Sequence, residues 1–200
     1  MFTPKEIRTT QLVKNLVCIL GGFLILSCVQ SPPAKNFVDL SFSHLPLIHL
    51  NVNSISINRN FLSIKKSPYI EHLFPIEPVE AAEQWVKDRL RAKGGLDRLV
   101  VSITRGTATE KRQTHKRGIL FNKHSIHYAS EIEVKLQILD PRGEIKASVV
   151  SHATQDLTST DNLTISEREM IWFQMTESMM QDLNRSLEKQ INQYFFIWIK

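Results

Sequence analysis

Two alternating runs joined by a turn motif constrain the fold of this chain more than any other feature. Apolar side chains recur at every second position over most of residues 126–138, with polar side chains between them, and alternation returns over residues 145–149. Asp140-Pro141-Arg142-Gly143 lies between the runs, with proline early in the turn and glycine where a positive φ is needed. The pattern predicts a β-hairpin with one buried face.

Two further segments alternate in the same way. Residues 48–52 predict a half-buried strand, and the shift of its apolar register to Ile55 and Ile57 predicts a bulge near Asn53-Ser54. Leu99, Val101 and Ile103 predict another strand, which runs toward residue 109. The sequence therefore predicts about four strands.

Two segments have helical periodicity. Pro78 opens the first, which packs through Trp85, and Gly94-Gly95 is expected to end it as a C-cap. In the second, Ser166 and Glu169 are spaced as a capping box and Ile165 with Met170 as a hydrophobic staple. An apolar stripe then recurs mostly every four residues and predicts one long helix. The stripe consists of Trp172, Met175, Met179, Leu183, Leu187, Ile191, Tyr194 and Trp198.

The order of these elements is β-α-β-β-β-α. Its simplest packing is a two-layer α+β domain, with an about four-stranded, mainly antiparallel sheet and both helices on one face. We assign residues 45–200 to this single domain, which is long enough to bury a core without disulfides. The apolar segment 194–199 is expected to dock on the domain, with a bilayer surface as the second choice.

The segment before the domain has the layout of a secretory signal. Lys5, Arg8 and Lys14 precede an apolar run that begins at Leu16 and ends at Ser27-Cys28. At about 14 residues, the run is shorter than the roughly 20 that a transmembrane helix requires. A lipoprotein signal is the preferred interpretation, and an ordinary cleaved signal and an uncleaved anchor remain as alternatives.

Ile25-Leu26-Ser27-Cys28 resembles a bacterial lipobox, with Leu26 where the family usually carries a smaller or β-branched residue. The resemblance implies that residues 1–27 are removed and that Cys28 carries the lipid. Residues 28–44 are then the lipidated N-terminus and linker. Val29 stands where an aspartate would favour retention in the inner membrane, so the resemblance implies an outer-membrane lipoprotein that faces the periplasm.

A second resemblance covers the middle third of the domain. The segment from Pro68 to His72, followed by Pro75, Pro78, Trp85 and Asp88-Arg89-Leu90, looks like a family of small bacterial envelope lipoproteins. The element order is also similar to that of lipopolysaccharide-assembly lipoproteins and of the auxiliary lipoproteins of ABC-type lipid transporters. Because topology does not fix function, this similarity implies a role in the cell envelope but assigns no functional residue.

The sequence lacks the common catalytic motifs. It contains no Gly-x-Ser-x-Gly, no Gly-x-Gly-x-x-Gly and no His-Glu-x-x-His, and we expect no cofactor. His124 and His127 lack a third ligand nearby, so no metal site is expected. Glu71-His72, with Glu77 and Glu80, offers carboxylates near an imidazole, which acid-base catalysis requires in a cleft.

One segment is strongly basic. Lys111, Arg112, Lys116, Arg117 and Lys123 occur with His115 and without an acid over residues 111–123, a segment predicted to be the loop of a hairpin. Such a cluster attracts phosphates. In the cell envelope these belong to lipids and polymers, so a nucleic-acid partner is not expected. A solvated hairpin tip is the alternative interpretation.

Charge adds a modest constraint. The chain carries 25 basic and 20 acidic residues, and removal of residues 1–27 takes away three basic residues and one acid, which leaves a net charge of +3. We therefore predict a non-enzymatic envelope lipoprotein that binds a protein partner or anionic lipid in envelope assembly or lipid transport. The rival hypotheses are an envelope hydrolase that uses Glu71 and His72, and a purely structural tether.

Overall fold

The chain folds into a layer of strands covered on one face by two helices. The computed structural model describes residue 37 and residues 39–117 and 121–200, and the side chains of these except positions 115–117 and 121–123. Single-turn 3₁₀ helices lie at Glu71–Leu73 and Phe196–Trp198. The other elements are β1 (Ile48–Leu50), β2 (Ser54–Arg59), α1 (Pro78–Arg89), β3 (Leu90–Ala92), β4 (Arg98–Arg117), β5 (Phe121–Leu139), β6 (Ile145–Thr160) and α2 (Ile165–Tyr194).

The principal sheet has four strands in the order β2-β4-β5-β6. β2 and β4 are parallel and are connected through α1, whereas β4-β5 and β5-β6 are antiparallel. The sheet is therefore mixed and mainly antiparallel. This confirms the predicted α+β class and, for the principal sheet and the helices, the predicted element order.

The core lies between this sheet and the helices. Trp85 of α1 and Met179, Leu183 and Leu187 of α2 are buried in one apolar cluster with the inward side chains of the strands. At about 1.5–3 kcal/mol for each fully buried large apolar side chain, this layer is the main source of stability. The predicted packing through Trp85 and along the α2 stripe from Trp172 to Ile191 is confirmed. Tyr194, predicted to continue the stripe, is exposed, and Trp198 lies beyond the end of α2.

The predicted hairpin is formed by β5 and β6. Gly143 has a φ of +92°, and its N–H donates to the Asp140 carbonyl at 3.0 Å. The Asp140 carboxylate accepts from the backbone N–H groups of Arg142 and Glu144 at 2.8 and 2.9 Å. Proline, glycine and the aspartate side chain thus act together in the turn, as the sequence motif indicates.

The predicted bulge near Asn53 is wrong, because two strands of different sheets occupy this segment. β1 pairs in parallel with β3, in register Ile48↔Leu90, while β2 joins the principal sheet. The Val52 N–H donates to the Leu50 carbonyl at 2.9 Å, so a tight bend ends β1 and redirects the chain. The shift of apolar register reflects this change of sheet.

The predicted C-cap at Gly94-Gly95 is also wrong. α1 ends at Arg89, and Leu90 adopts an extended conformation and begins β3. The two glycines instead lie in the connection from β3 to β4. Gly95 has a φ of +121°, and a Cβ there would lie 2.4 Å from the Asn51 carbonyl oxygen. Glycine is required for this turn and close approach rather than for a helix end.

The N-terminal cap of α2 differs from the predicted one. Thr164 is extended, its Oγ1 accepts from the Glu167 N–H at 3.3 Å, and Glu167 Oε2 accepts from the Thr164 N–H at 2.8 Å. The capping box is therefore formed by Thr164 and Glu167, not by Ser166 and Glu169. Ile165, expected to form a staple, is the first helical residue and is largely exposed.

Both ends of the described chain pack on the core. Trp198 Nε1 donates to Asp97 Oδ2 at 2.8 Å, and Phe195 is buried, which confirms that segment 194–199 docks on the domain. Phe42, in the segment assigned to the linker, is buried as well. Its N–H donates to Asp88 Oδ2 at 2.7 Å. Packing therefore begins before residue 45.

The observed cap gives a direct test of the α2 boundary. We expect Thr164→Ala to lower the free energy of unfolding by about 1 kcal/mol, because it removes the side-chain acceptor for an otherwise unpaired N–H. Ser166→Ala, at the cap position indicated by the sequence, is the matched control and should change stability by only a few tenths of that value. Urea unfolding followed by circular dichroism compares the two, and a larger loss for Ser166→Ala would contradict the assignment.

Candidate functional site at the ribbon end

The basic segment lies where the sheet narrows to two strands. β6 stops at Thr160, opposite Ser125, but β4 and β5 continue to pair through Thr114↔His124 as far as Arg117↔Phe121. We call residues 114–117 and 121–124 the ribbon. Its four residue pairs extend about 10–14 Å past the end of β6, at about 3.4 Å per residue.

The prediction that residues 111–123 form a loop is therefore wrong for most of the segment. Residues 111–117 belong to β4 and residues 121–123 to β5, and the strands pair without interruption there. No proline or glycine occurs between Lys111 and Arg117, so nothing in the sequence stops the ladder. The high polarity of the segment resembles that of a loop, but its backbone forms a continuous antiparallel ladder.

The described part of the structure places two of the predicted basic residues at the base of the ribbon. Lys111 and Arg112 are both exposed, and their registers with His127 and Ile126 place them on opposite faces of the sheet. The backbone places Lys116, Arg117 and Lys123 within the ribbon, while their side chains lie outside the described part of the chain. Among the described side chains, positive charge thus occupies both faces of the sheet at the base of the ribbon.

A small apolar cluster supports the base of the ribbon. The Trp172 ring of α2 stacks on Phe74 with ring centroids 5.4 Å apart and meets Tyr128 edge-on at 6.1 Å. Burial raises the pKa of the Tyr128 hydroxyl. Beside this cluster, Arg168 Nη2 lies 3.6 Å from Glu110 Oε1, which joins α2 to β4. α2 therefore contacts both strands at the base of the ribbon, through Trp172 and Arg168.

Glu71, a candidate catalytic residue, has a structural role. Its side chain is 1% exposed, and its carboxylate accepts from Ser63 Oγ at 2.5 Å and from the Ala108 N–H at 3.3 Å. These bonds tie the 3₁₀ turn to the chain before it and to β4. Both carboxylate oxygens are thus engaged by the protein itself.

The other acid-base candidates do not join Glu71 in a cleft. Three clefts, of about 370, 250 and 540 Å³, have no Glu71 or His72 in their linings. Glu80 lines the largest, together with Asp39 and without a histidine. Burial, reinforced by the neighbouring Glu80 carboxylate, raises the pKa of Glu77. The geometry therefore does not bring Glu71, His72, Glu77 and Glu80 together around any of these three clefts.

His124 and His127 lie three residues apart on β5, so they occupy opposite faces of the sheet. His124 Nδ1 is 3.2 Å from Thr114 Oγ1, and His127 Nδ1 is 3.3 Å from Thr158 Oγ1. The two imidazoles cannot share one ion. Within the described ranges, no three His, Cys, Asp or Glu side chains converge as a metal site would require.

Comparisons with known proteins add little. No protein-family model and no curated protein matches the chain. A minor lipoprotein from Acinetobacter baumannii is similar at 13% identity and a TM-score of 0.37, over 70% of this chain and 94% of that one. Rare lipoprotein B from Shewanella oneidensis is similar at 12% identity and a TM-score of 0.35, over 70% of this chain and 96% of that one. At TM-scores below 0.5 and identities below 25%, neither similarity assigns a function to this chain.

No helix in the described part of the chain is both long and apolar enough to cross a bilayer. Cys28, the predicted site of lipid attachment, lies outside the described residues.

The structural role of Glu71 predicts the effect of removing its charge. Glu71→Gln should lower the free energy of unfolding by about 1–2 kcal/mol, because the NH₂ group that replaces one carboxylate oxygen is a donor and cannot accept one of the two hydrogen bonds. Glu80→Gln, at an exposed position of α1, is the control and should be nearly neutral. Denaturant unfolding measures both. A Glu71→Gln protein of unchanged stability would contradict the structural role and favour the hypothesis of a catalytic role for Glu71.

Proposed function

We propose that this chain is an exported, lipid-anchored envelope protein that acts as a non-enzymatic binding subunit in envelope assembly or lipid transport. Its anchor is the lipid on Cys28, and its contact surface is the basic ribbon end. The membrane concerned is the outer membrane, and the domain faces the periplasm.

The sequence before the described domain supports the anchor. The basic leader, the short apolar run and the Ile25-Leu26-Ser27-Cys28 segment are the parts of a lipoprotein signal. A single acyl chain gives only marginal membrane binding, whereas several give a stable anchor, which is what lipoprotein processing supplies.

The ribbon is the structural feature that best supports a binding function. Residues 111–124 contain five lysines and arginines and no acid, and they occupy two strands that extend beyond the neighbouring strand. A projecting element reaches a flat or extended surface more readily than a charge on the body of the domain. Its complement is a surface rich in phosphate, such as lipid headgroups, or an acidic patch of a protein partner.

The anchor is tested by membrane fractionation and mass spectrometry of the mature N-terminus. We expect wild-type protein to carry a diacylglyceryl group on Cys28 and to sediment with membranes. Cys28→Ala should lose both properties, because no other cysteine remains once Cys18 leaves with the leader. An unmodified, soluble wild-type chain would overturn the anchor and favour a secreted protein.

The ribbon is tested by reversing charge within it. In a mature Cys28→Ala background, Lys116→Glu with Arg117→Glu should weaken binding to vesicles rich in phosphatidylglycerol by about 30-fold or more, at about 1 kcal/mol per basic residue near an anionic surface. The matched control is Lys93→Glu with Arg142→Glu, two exposed positions at the opposite end of the sheet. Vesicle flotation measures the affinity, and equal losses in the two variants would show a net-charge effect without a site.

A further inference from the structure

A second exposed segment lies in the loop that precedes the pairing of residues 68–70 with β4. Leu62 and Ile64 are 89% and 56% exposed, and Lys65 and Lys66 follow them with exposed side chains. Isolated exposed leucines are ordinary. Here, however, two aliphatic side chains and two cations occur within five residues of one loop between β2 and α1.

Backbone pairing directs this loop toward the ribbon. The Ile70 N–H donates to the Ala108 carbonyl at 2.8 Å, and the Glu110 N–H donates to the Pro68 carbonyl at 2.9 Å. Tyr69 and Thr109 form an antiparallel bridge, so residues that precede Pro68 continue toward Lys111 and the ribbon. The Tyr69 N–H also donates to the Lys66 carbonyl at 2.8 Å, which keeps Lys66 close to this pairing.

The anchor-side end of the described chain lies at the same end of the molecule. The Phe37 ring packs on Phe173 of α2 with centroids 5.4 Å apart. Phe173 lies five residues after Arg168, which contacts Glu110 at the base of the ribbon. Residue 37 is therefore about 8 Å along the α2 axis from the ribbon base, at 1.5 Å per residue.

We propose that the domain docks on the bilayer that holds its own anchor, with the ribbon end toward the lipid. This inference rests on the lipid anchor of the proposed function and adds the partner and the orientation. Leu62 and Ile64 enter the boundary between headgroups and acyl chains, while Lys65, Lys66, Lys111 and Arg112 contact lipid phosphates. Basic side chains around exposed aliphatic ones are the usual composition of a membrane-surface contact.

Charge distribution sets the tilt of the domain. Three acidic residues near this end, Asp161, Glu167 and Glu169, lie on the opposite edge of the sheet, in the β6–α2 turn and the first turns of α2. Asp156 lies on β6 as well, and Glu110 of β4 faces Arg168 of α2 at 3.6 Å. The loop with Leu62 lies on the β2 side of β4. The β4 edge is therefore closer to an anionic surface than the β6–α2 turn.

The tether makes the reverse orientation costly. The far end of the domain also exposes apolar side chains, among them Phe196, Ile197 and Leu96. From Cys28 to Phe37 the chain spans nine residues, or about 30 Å at full extension. The end of α2 at Tyr194 is about 32 Å along the helix from Phe173. Contact through the far end would require an almost fully extended linker, which is entropically unfavourable.

The experiment uses the mature, lipidated full chain in vesicles of phosphatidylethanolamine and phosphatidylglycerol. This chain has no thiol other than the modified Cys28, so Leu62→Cys and Leu96→Cys each give one labelling site at an exposed leucine. A bimane label at each site is quenched by nitroxide lipids in proportion to its contact with the bilayer. We expect quenching at position 62 to be at least three times that at position 96.

Charge reversal and the pattern of failure separate the two proposals. Lys66→Glu with Lys111→Glu should reduce quenching at position 62 to the level of position 96, while the protein stays on the vesicles through its anchor. A vesicle-bound protein with equal quenching at both sites, or with more at position 96, overturns the orientation and leaves the anchor intact. A protein that fails to associate with vesicles overturns the anchor and the orientation together.

Discussion

The packing of one long helix along one face of the sheet determines the rest of the structure. α2 has 30 residues, or about 45 Å, whereas β5 has 19 residues, or about 65 Å. The apolar stripe from Trp172 to Ile191 is buried on the sheet and defines how far the two-layer core extends. Because the strands are longer than the helix layer, β4 and β5 continue beyond it as an uncovered ribbon.

The composition of the strands changes where the helix layer ends. On β5 the inward-facing apolar residues begin at Ile126, level with the cluster around Trp172. Positions closer to the tip have no helix to cover them, so apolar side chains there would gain little from burial. The same positions are free to carry lysine and arginine. A basic ribbon and a folded core thus follow from one difference in length, and they do not compete for the same residues.

Sequence periodicity predicted the elements whose signal is local. The β5–β6 hairpin has an alternating pattern and a turn with its own chemistry, and α2 has a long stripe, so both follow from residues close in the chain. The split of β1 from β2 depends on pairing with β3 about 40 residues away. Thr164 with Glu167 and Ser166 with Glu169 have the same capping-box spacing in the sequence. The structure forms the box at Thr164, where α2 begins after the turn from β6.

The candidate site also has one part that the sequence predicts and one part that only the structure shows. The basic residues between Lys111 and Lys123 are visible in the composition, and only the strand pairing shows that they form a ribbon. Leu62 and Ile64 have no distinguishing pattern of their own. The path of their loop toward the ribbon end depends on the contact of residues 68–70 with β4, which lies about 40 residues further along the chain. A surface assembled from distant segments cannot be found by inspection of either segment.

Polar contacts between the helices keep the start of the described chain, at Phe37, and the ribbon at one end. Trp85 Nε1 donates to Asn184 Oδ1 at 2.7 Å, and the buried Arg89 pairs with Glu188, so α1 and α2 have one relative register. Asp88 then accepts the Phe42 N–H, which holds residues 39–45 against both helices. Buried ion pairs add little net stability, but in some proteins they select one arrangement over its alternatives. Here the selected arrangement directs residues 39–45 toward Phe37, which packs on Phe173 near the ribbon end of α2.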